Sequence, residues 1–289
     1  MTADGDVPGP RPGRPIPRVD VLGVGVSAVS LSDAVDEIAR WVSAREQHYV
    51  CVTGVHGVME SQRDPELLRI HNGSGLTTPD GMPMVWAGHR AGARWMTRVY
   101  GPDLMLALCD RAVGEGWRSF FYGGKPGVPE LLQERLQERV PGLEVVGCYS
   151  PPFRPLSPEE DADVVARINA AKPDLLWIGL STPKQERWMA AHVGRIDVPV
   201  MLGVGAAFDI HAGVLPQAPL WMQRHGLEWV YRLVREPRRL WRRYLRNNPA
   251  FAWAVLRRPP RLERPAPPWP PITDAGAPRS VQPPDGRMG

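Results

Sequence analysis

From Asp20 to about Ile210, short apolar runs alternate with stretches of helical period. The runs 20–26 (DVLGVGV), 48–53 (HYVCVT), 118–122 (RSFFY), 144–148 (EVVGC), 174–180 (DLLWIGL) and 199–204 (PVMLGV) predict strands. Between 31 and 44, Leu31, Val35, Ile38 and Val42 share one face, which predicts a helix with Ser32 as its N-cap. The stretches 101–114, 127–139 and 158–171 have the same pattern. Strands alternating with helices predict an α/β protein, its mostly parallel sheet covered by helices on both faces. Ligands of such folds sit beyond the carboxyl ends of the strands, so the strand-to-helix junctions are where chemistry is expected. No internal repeat is visible.

Proline marks the limits of this pattern. Of 33 prolines in 289 residues, 5 fall in 1–17 and 10 in 259–289. Neither stretch has apolar periodicity, so both are expected to be disordered tails. This leaves a Rossmann-like core over 18–220 and a helical appendage over 221–258. The N-terminus lacks the apolar region of a signal peptide, and runs such as 198–208 fall short of the roughly 20 residues of a membrane-spanning helix. A soluble or peripheral intracellular protein is expected. Cys51, Cys109 and Cys148 lie far apart with no CxxC, which argues against a disulfide framework or a cysteine metal site and for small core residues.

Charge singles out the appendage. The chain carries +4 overall, yet residues 221–258 hold 10 Arg against Glu228 and Glu236, a local +8. Trp229, Leu233, Leu240, Trp241, Tyr244 and Leu245 supply an apolar face, and Arg232, Arg235, Arg238, Arg239, Arg242, Arg243 and Arg246 a cationic one. Arginine interleaved with Trp and Tyr suits a nucleic acid, an anionic membrane surface or a diphosphate.

The junctions supply the candidate chemistry. Gly23-x-Gly25-x-x-Ala28 matches a dinucleotide fingerprint, but Thr53 stands where the acidic ribose partner belongs, and Gly203-x-Gly205 has Phe208 in place of the third small residue; a dehydrogenase is disfavoured. Tyr122-Gly123-Gly124 ends a strand with bare amides able to approach a phosphate or nucleoside, or forms a plain tight turn. In GLSTPKQE, Pro183 suits the first turn of a helix capped by Ser181 or Thr182. Lys184 and Gln185 then point toward an anionic ligand, unless the motif is only a cap. Asp80, in Thr-Thr-Pro-Asp-Gly, is either a surface turn residue or a general base at a cleft mouth. Asp209 either bonds a ribose or base, or caps the next turn. Asp161-Ala-Asp163 reads as the acid-rich first turn of a helix rather than a metal motif. The histidines show no ligand spacing.

The pieces TPDGMPMVW, RVYGPDLM, FFYGGKPGV, KPDLLWIGLSTPKQERWM, GVGAAFDIHAG and GLEWVYRLVREPRRLWRRYL occur together, in order, from about Val21 to Asn248. Together they resemble the WecG/TagA/CpsF family of bacterial glycosyltransferases (glycosyltransferase family 26). The resemblance implies inverting, metal- and cofactor-independent transfer of a sugar from a nucleotide donor, typically UDP-N-acetylmannosamine, to a polyprenyl-diphosphate-linked acceptor. Such a reaction serves exopolysaccharide, capsule or cell-wall synthesis on the inner face of the plasma membrane. It also implies Asp80 as the base that deprotonates the acceptor hydroxyl, with Thr53 and Gln185 at the donor sugar. Arg98, Asp103, Tyr122, Gly123, Gly124, Lys184 and Asp209 would bind substrate, and Arg232, Arg239 and Arg242 would close over the diphosphate at the membrane. The partners implied are a UDP-sugar, the lipid-linked acceptor, an anionic membrane and a second copy of the chain, with no nucleic acid. Many members carry Thr-x-Asn where this chain has Thr53-Gly54-Val55-His56, so an amide donor is missing or His56 replaces it; some use glucose donors. The competing reading is a non-catalytic nucleotide- or nucleic-acid-binding protein that grips phosphates with its Arg/Trp segment.

Overall fold

A computed structural model describes residues 15–263, apart from the side chain of Arg239. The chain opens with a hairpin, β1 (Arg18–Val21) and β2 (Val24–Ser27). The apolar run expected to form one strand over 20–26 is broken at Leu22 and Gly23, whose φ values of 56° and 90° make a two-residue turn. Turns of this kind match the twist of the strands they join and favour glycine. The Gly23-x-Gly25 match is therefore a hairpin turn with antiparallel neighbours, outside the main sheet.

α1 (Leu31–Ala44) follows. Its cap is Ser30, not the expected Ser32: the Ser30 hydroxyl accepts from Asp33 N while the Asp33 carboxylate accepts from Ser30 N. The reciprocal box needs an acid three residues on, and Asp33 stands in that place only for Ser30. Next come β3 (His48–Thr53), α2 (Val55–Ser61), α3 (Pro65–Gly73), β4 (Leu76–Pro79), α4 (Met82–Arg90), α5 (Gly101–Glu115), β5 (Arg118–Gly123), α6 (Val128–Arg139), β6 (Glu144–Tyr149), α7 (Pro158–Ala171), β7 (Leu175–Gly179), α8 (Lys184–His192), β8 (Val200–Gly203) and α9 (Ala207–His211). The appendage holds α10 (Leu220–Arg224), α11 (Glu228–Arg235) and α12 (Pro237–Arg257), and ends in β9 (Arg261–Glu263).

Strands β3 to β8 form one parallel sheet in the order β4-β3-β8-β7-β5-β6. Successive residues of a strand face opposite sides. In β7, Leu175 and Trp177 enter the core beneath α1, α5, α6 and α9, while Leu176 and Ile178 enter the one beneath α3, α7 and α8. This is the doubly covered α/β fold the pattern predicts. A third core joins the hairpin to α2, α4 and Phe251 of α12. α7 begins at Ser157 with a second capping box, and Asp161 in its first turn is bound by His192 and Arg195.

Both tail boundaries shift. Ile16 packs on the main core and Pro17 O accepts from Ala28 N, so ordered contacts start before 18. At the other end, β9 pairs antiparallel with β1 and Arg258 is 2.7 Å from Asp20 Oδ2, where a tail from 259 was expected. The strand satisfies the free edge of β1. The rest of both expected tails, 1–14 and 264–289, lies outside the described residues. Among the described residues no helix is long and apolar enough to cross a membrane.

Trp177 is fully buried in the centre of the sheet and its Nε1 donates to Ser119 Oγ. Trp177→Ala is expected to cost about 3–5 kcal/mol of stability. A urea titration checks this, and a loss below 1 kcal/mol would place the main core elsewhere.

Candidate functional site

The carboxyl ends of β3 and β4 are locked together. Asp80 N donates to Thr53 O at 3.0 Å, and a Cβ on Gly54 would lie 2.8 Å from Asp80 O, so only glycine fits between them. Val99 N donates to Pro79 O, laying Arg98 and Tyr100 beside Asp80. α11 then leans over the same point. Glu228 accepts from Arg98 Nη1 at 3.2 Å and from the Tyr100 hydroxyl at 2.7 Å. Arg98 also bonds Asp103, at 3.3 Å, and Gln223, and its guanidinium lies 4.4 Å over the Tyr100 ring.

Asp80 feels this whole group. Burial, then the charge of Glu228, push its carboxyl up; Arg98 and Arg232 pull it down and Asp103 raises it again, leaving a pKa of about 7. A carboxyl so poised takes a proton efficiently near neutral pH.

The second half of the site lies across the sheet at the ends of β7 and β8. The peptide Thr182–Pro183 is cis, and Pro183 is itself the N-cap residue of α8, with no side-chain cap from Ser181 or Thr182. The Thr182 hydroxyl donates instead to Glu186 Oε1 at 2.7 Å. Gln185 Nε2 donates to Gly203 O at 3.0 Å and to Glu186 Oε1 at 3.2 Å. Both neighbours of that nitrogen are acceptors, so the amide has one possible orientation. Its Oε1 has no partner among the described residues, nor has the hydroxyl of Thr53. Gly205 lies against Gln185 Oε1: a Cβ there would come within 3.3 Å of it. Glu186 is fully buried, and burial pushes its carboxyl up.

Other expected positions have different occupations. The Tyr122 ring is buried, stacked on Trp188 at 4.4 Å and near Tyr149 at 6.1 Å, so it is a packing residue rather than a ligand contact. Gly124 N already donates to Gly179 O, and a Cβ on Gly123 would lie 2.7 Å from Gly179 C. These glycines are needed because two loops touch. Lys184 is exposed, its ammonium 5.6 Å over Phe153. Asp209 stands at the carboxyl end of β8 in α9. Arg232 is half-buried beside Tyr100, Glu228 and Asp80, with its Nε unpartnered. Arg242 is exposed on Trp241 and takes no part in this cluster, while the Arg239 side chain lies outside the described residues.

Arg243 takes the inward place instead: half-buried, Nε unpartnered, beside Tyr244. The signal for it was helical phase, since Leu240, Asn247 and Phe251 are the buried residues of α12 and Arg243 falls on their face. Glu228 and Glu186 were missed because each acts by holding a neighbour.

Carboxylate, amide and guanidinium groups gather at the strand ends under an arginine-rich cover, and similarity to known proteins gives their class, a glycosyltransferase. The chain belongs to the Glycosyl transferase WecG/TagA/CpsF family, whose model matches residues 19–265. It is similar to an N-acetylglucosaminyldiphosphoundecaprenol N-acetyl-beta-D-mannosaminyltransferase of Bacillus spizizenii, 31% identical over 198 residues, 68% of this chain and 74% of that one. The enzyme of the same name from Staphylococcus aureus (strain MW2) is 26% identical over 249 residues, 86% of this chain and 95% of its own.

In an unfolded chain the Asp80 carboxyl would lose its proton near pH 4, but in the fold only near 7. The folded state holds more protons between these values, so stability falls as pH rises through that window. Asp80→Asn keeps the shape of the protonated carboxyl. It is expected to raise Tm at pH 8 and leave it nearly unchanged at pH 4 in calorimetric scans; an equal effect at both would exclude Asp80 as the raised group.

Proposed function

We propose that this enzyme moves a hexose, N-acetylmannosamine or a related sugar such as glucose, from a UDP-sugar to a polyprenyl-diphosphate-linked acceptor, with inversion and without a metal. The observation that carries this reading is Asp80, poised near neutral pH between arginines at the strand ends. The names of the similar enzymes support the lipid-linked acceptor and the aminosugar.

In this reading the acceptor hydroxyl passes its proton to the Asp80 carboxylate as its oxygen attacks the anomeric carbon. The bond from that carbon to the phosphate oxygen breaks on the opposite side, and UDP departs with the electron pair. Gln185 and Thr53 orient the donor sugar through Oε1 and the hydroxyl that lack partners among the described residues. The developing negative charge falls to guanidinium groups, Arg232 and Arg243 first, whose bonds to phosphate contribute about 1.5–3 kcal/mol each. Among the described residues no three His, Cys, Asp or Glu side chains cluster in a way that would hold a metal ion. Radiolabel transfer from UDP-N-acetylmannosamine to a lipid-linked N-acetylglucosamine diphosphate is expected to proceed in EDTA and to fall at least 100-fold in Asp80→Ala with UDP affinity kept. Full activity in that variant would remove Asp80 as the base.

The appendage supports work at the inner face of the plasma membrane. Trp241, Leu245, Trp253 and Leu256 form an exposed stripe along α12, roughly opposite its buried face, with Arg238, Arg242, Arg246 and Arg257 exposed around it. Aromatic and basic residues in this arrangement lie in the membrane interface, and each Arg near anionic lipid adds roughly 1 kcal/mol. Binding to phosphatidylglycerol vesicles, measured by co-sedimentation, is expected to drop several-fold in Trp241→Ala/Trp253→Ala. Unchanged binding, or equal binding to neutral vesicles, would refute this placement.

A further inference from the structure

His56, in the first turn of α2 and three residues beyond Thr53, has no part in the reaction above. Its ring lies between α2 and α12. Nδ1 is 3.2 Å from Asn247 Nδ2, and Nε2 has no hydrogen-bond partner among the described residues.

A chain of contacts fixes which of these atoms carries a proton. Arg63 Nη1 donates to Glu60 Oε1 at 2.8 Å, and Arg63 Nη2 to Asn247 Oδ1 at 3.0 Å. A guanidinium can only donate, so the face of Asn247 turned to it must be the carbonyl oxygen. That turns the amide nitrogen, which also only donates, toward His56. Nδ1 must then accept, which requires it to be bare. Asn247 is buried, so neither end of the amide can exchange its partner for water. A neutral imidazole with a bare Nδ1 carries its proton on Nε2.

The surroundings keep the ring neutral. Burial first, then the charges of Arg243, Arg63 and Arg232, push its pKa down to about 4. Glu60, 3.8 Å from Nδ1, is already bound by Arg63. Two of those arginines, Arg232 and Arg243, have a buried Nε with no partner. His56 thus stands among cationic neighbours, Arg63, Arg232 and Arg243, between the end of β3 and the appendage.

We propose that His56 donates its Nε2–H to an anionic diphosphate oxygen, and that Asn247 and Arg63 are positioning residues that fix its tautomer. A lone N–H donor among arginines suits a phosphate oxygen, and a cation or a donor group would be repelled there. Both the UDP-sugar and a lipid-linked diphosphate carry that chemistry. Only the naming of these two sources rests on the transferase reading.

The test is calorimetric titration of the full-length protein with UDP and, separately, with a short-chain prenyl diphosphate, using wild type, His56→Ala, His56→Gln and His56→Asn. Gln sets an amide nitrogen where Nε2 stands, Asn where Nδ1 stands. His56→Ala is expected to weaken one of the two ligands about tenfold; Gln restores most of the loss and Asn does not. The ligand that weakens identifies the source. Ring ¹⁵N spectra of wild type at pH 7 are expected to show Nε2–H. Asn247→Asp, whose carboxylate accepts at both ends, should bring a proton onto Nδ1. Unchanged affinity for both ligands in His56→Ala, equal loss in Gln and Asn, or a wild-type ring protonated on Nδ1 would each overturn the proposal. These are binding and spectroscopic readouts. Absence of sugar transfer by a wild type that still binds diphosphate would count against the transferase reading alone.

Discussion

Glu228 spends its two carboxylate oxygens on Arg98 and on the Tyr100 hydroxyl, and through these bonds the appendage is held over the strand ends. Arg98 divides its donors among Glu228, Asp103 and Gln223. Arg98 and Glu228 are partly shielded from water, so their charges are stabilised by satisfying one another, and losing one member leaves the others underpaired. The same carboxylate raises the pKa of Asp80. Fastening the cover and setting the proton affinity of the base are therefore one electrostatic arrangement. α11 thus brings both a negative neighbour, Glu228, and a positive one, Arg232, to Asp80, the first raising and the second lowering its proton affinity.

Several buried polar atoms lack partners among the described residues, many of them at the strand ends and beneath the appendage. Thr53 and Thr78 hydroxyls, Gln185 Oε1, Glu186 Oε2 and the Nε atoms of Arg232 and Arg243 are all buried and unmatched. Each such group costs about 1–3 kcal/mol. Burial of Trp177, Phe120, Phe121 and their neighbours in the two cores of the main sheet offsets that cost. His71 Nε2 and Trp188 Nε1 are unmatched as well, but the groups at the strand ends break local rules where a functional site is expected.

Most of the frame was legible because its strands are apolar on both faces and its helices on one. β4 was not. Its sequence, LTTP, is short and half polar; Thr77 is held in the core by bonds to Ser27 and His71, while the Thr78 hydroxyl is buried without a partner among the described residues. The hairpin was missed because alternation runs straight through Leu22 and Gly23, where only backbone conformation marks the turn. In the site, Asp80, Thr53, Gln185 and Arg232 sit at junctions or in motifs that sequence can mark. Choosing Arg243 over Arg242 needs the rotation of α12, which is set by Leu240 and Phe251 packing on the core. The Arg63–Asn247–His56 chain links residues 184 and 191 positions apart and leaves no local trace.

β9 gives the appendage a particular mechanics. A C-terminal helical segment fastened at one end would fray from its tip, each turn leaving with little consequence for the last. Here the segment is fastened at both ends: Glu228 and Gln223 meet Arg98 at the start, and Phe251, Arg258 and the β1–β9 ladder close the finish. A strip pinned so cannot peel. Between the two anchors lie Arg232, beside Asp80, and Arg243, beside His56. Loss of either anchor alone leaves the other in place, so the segment detaches only when both are broken together.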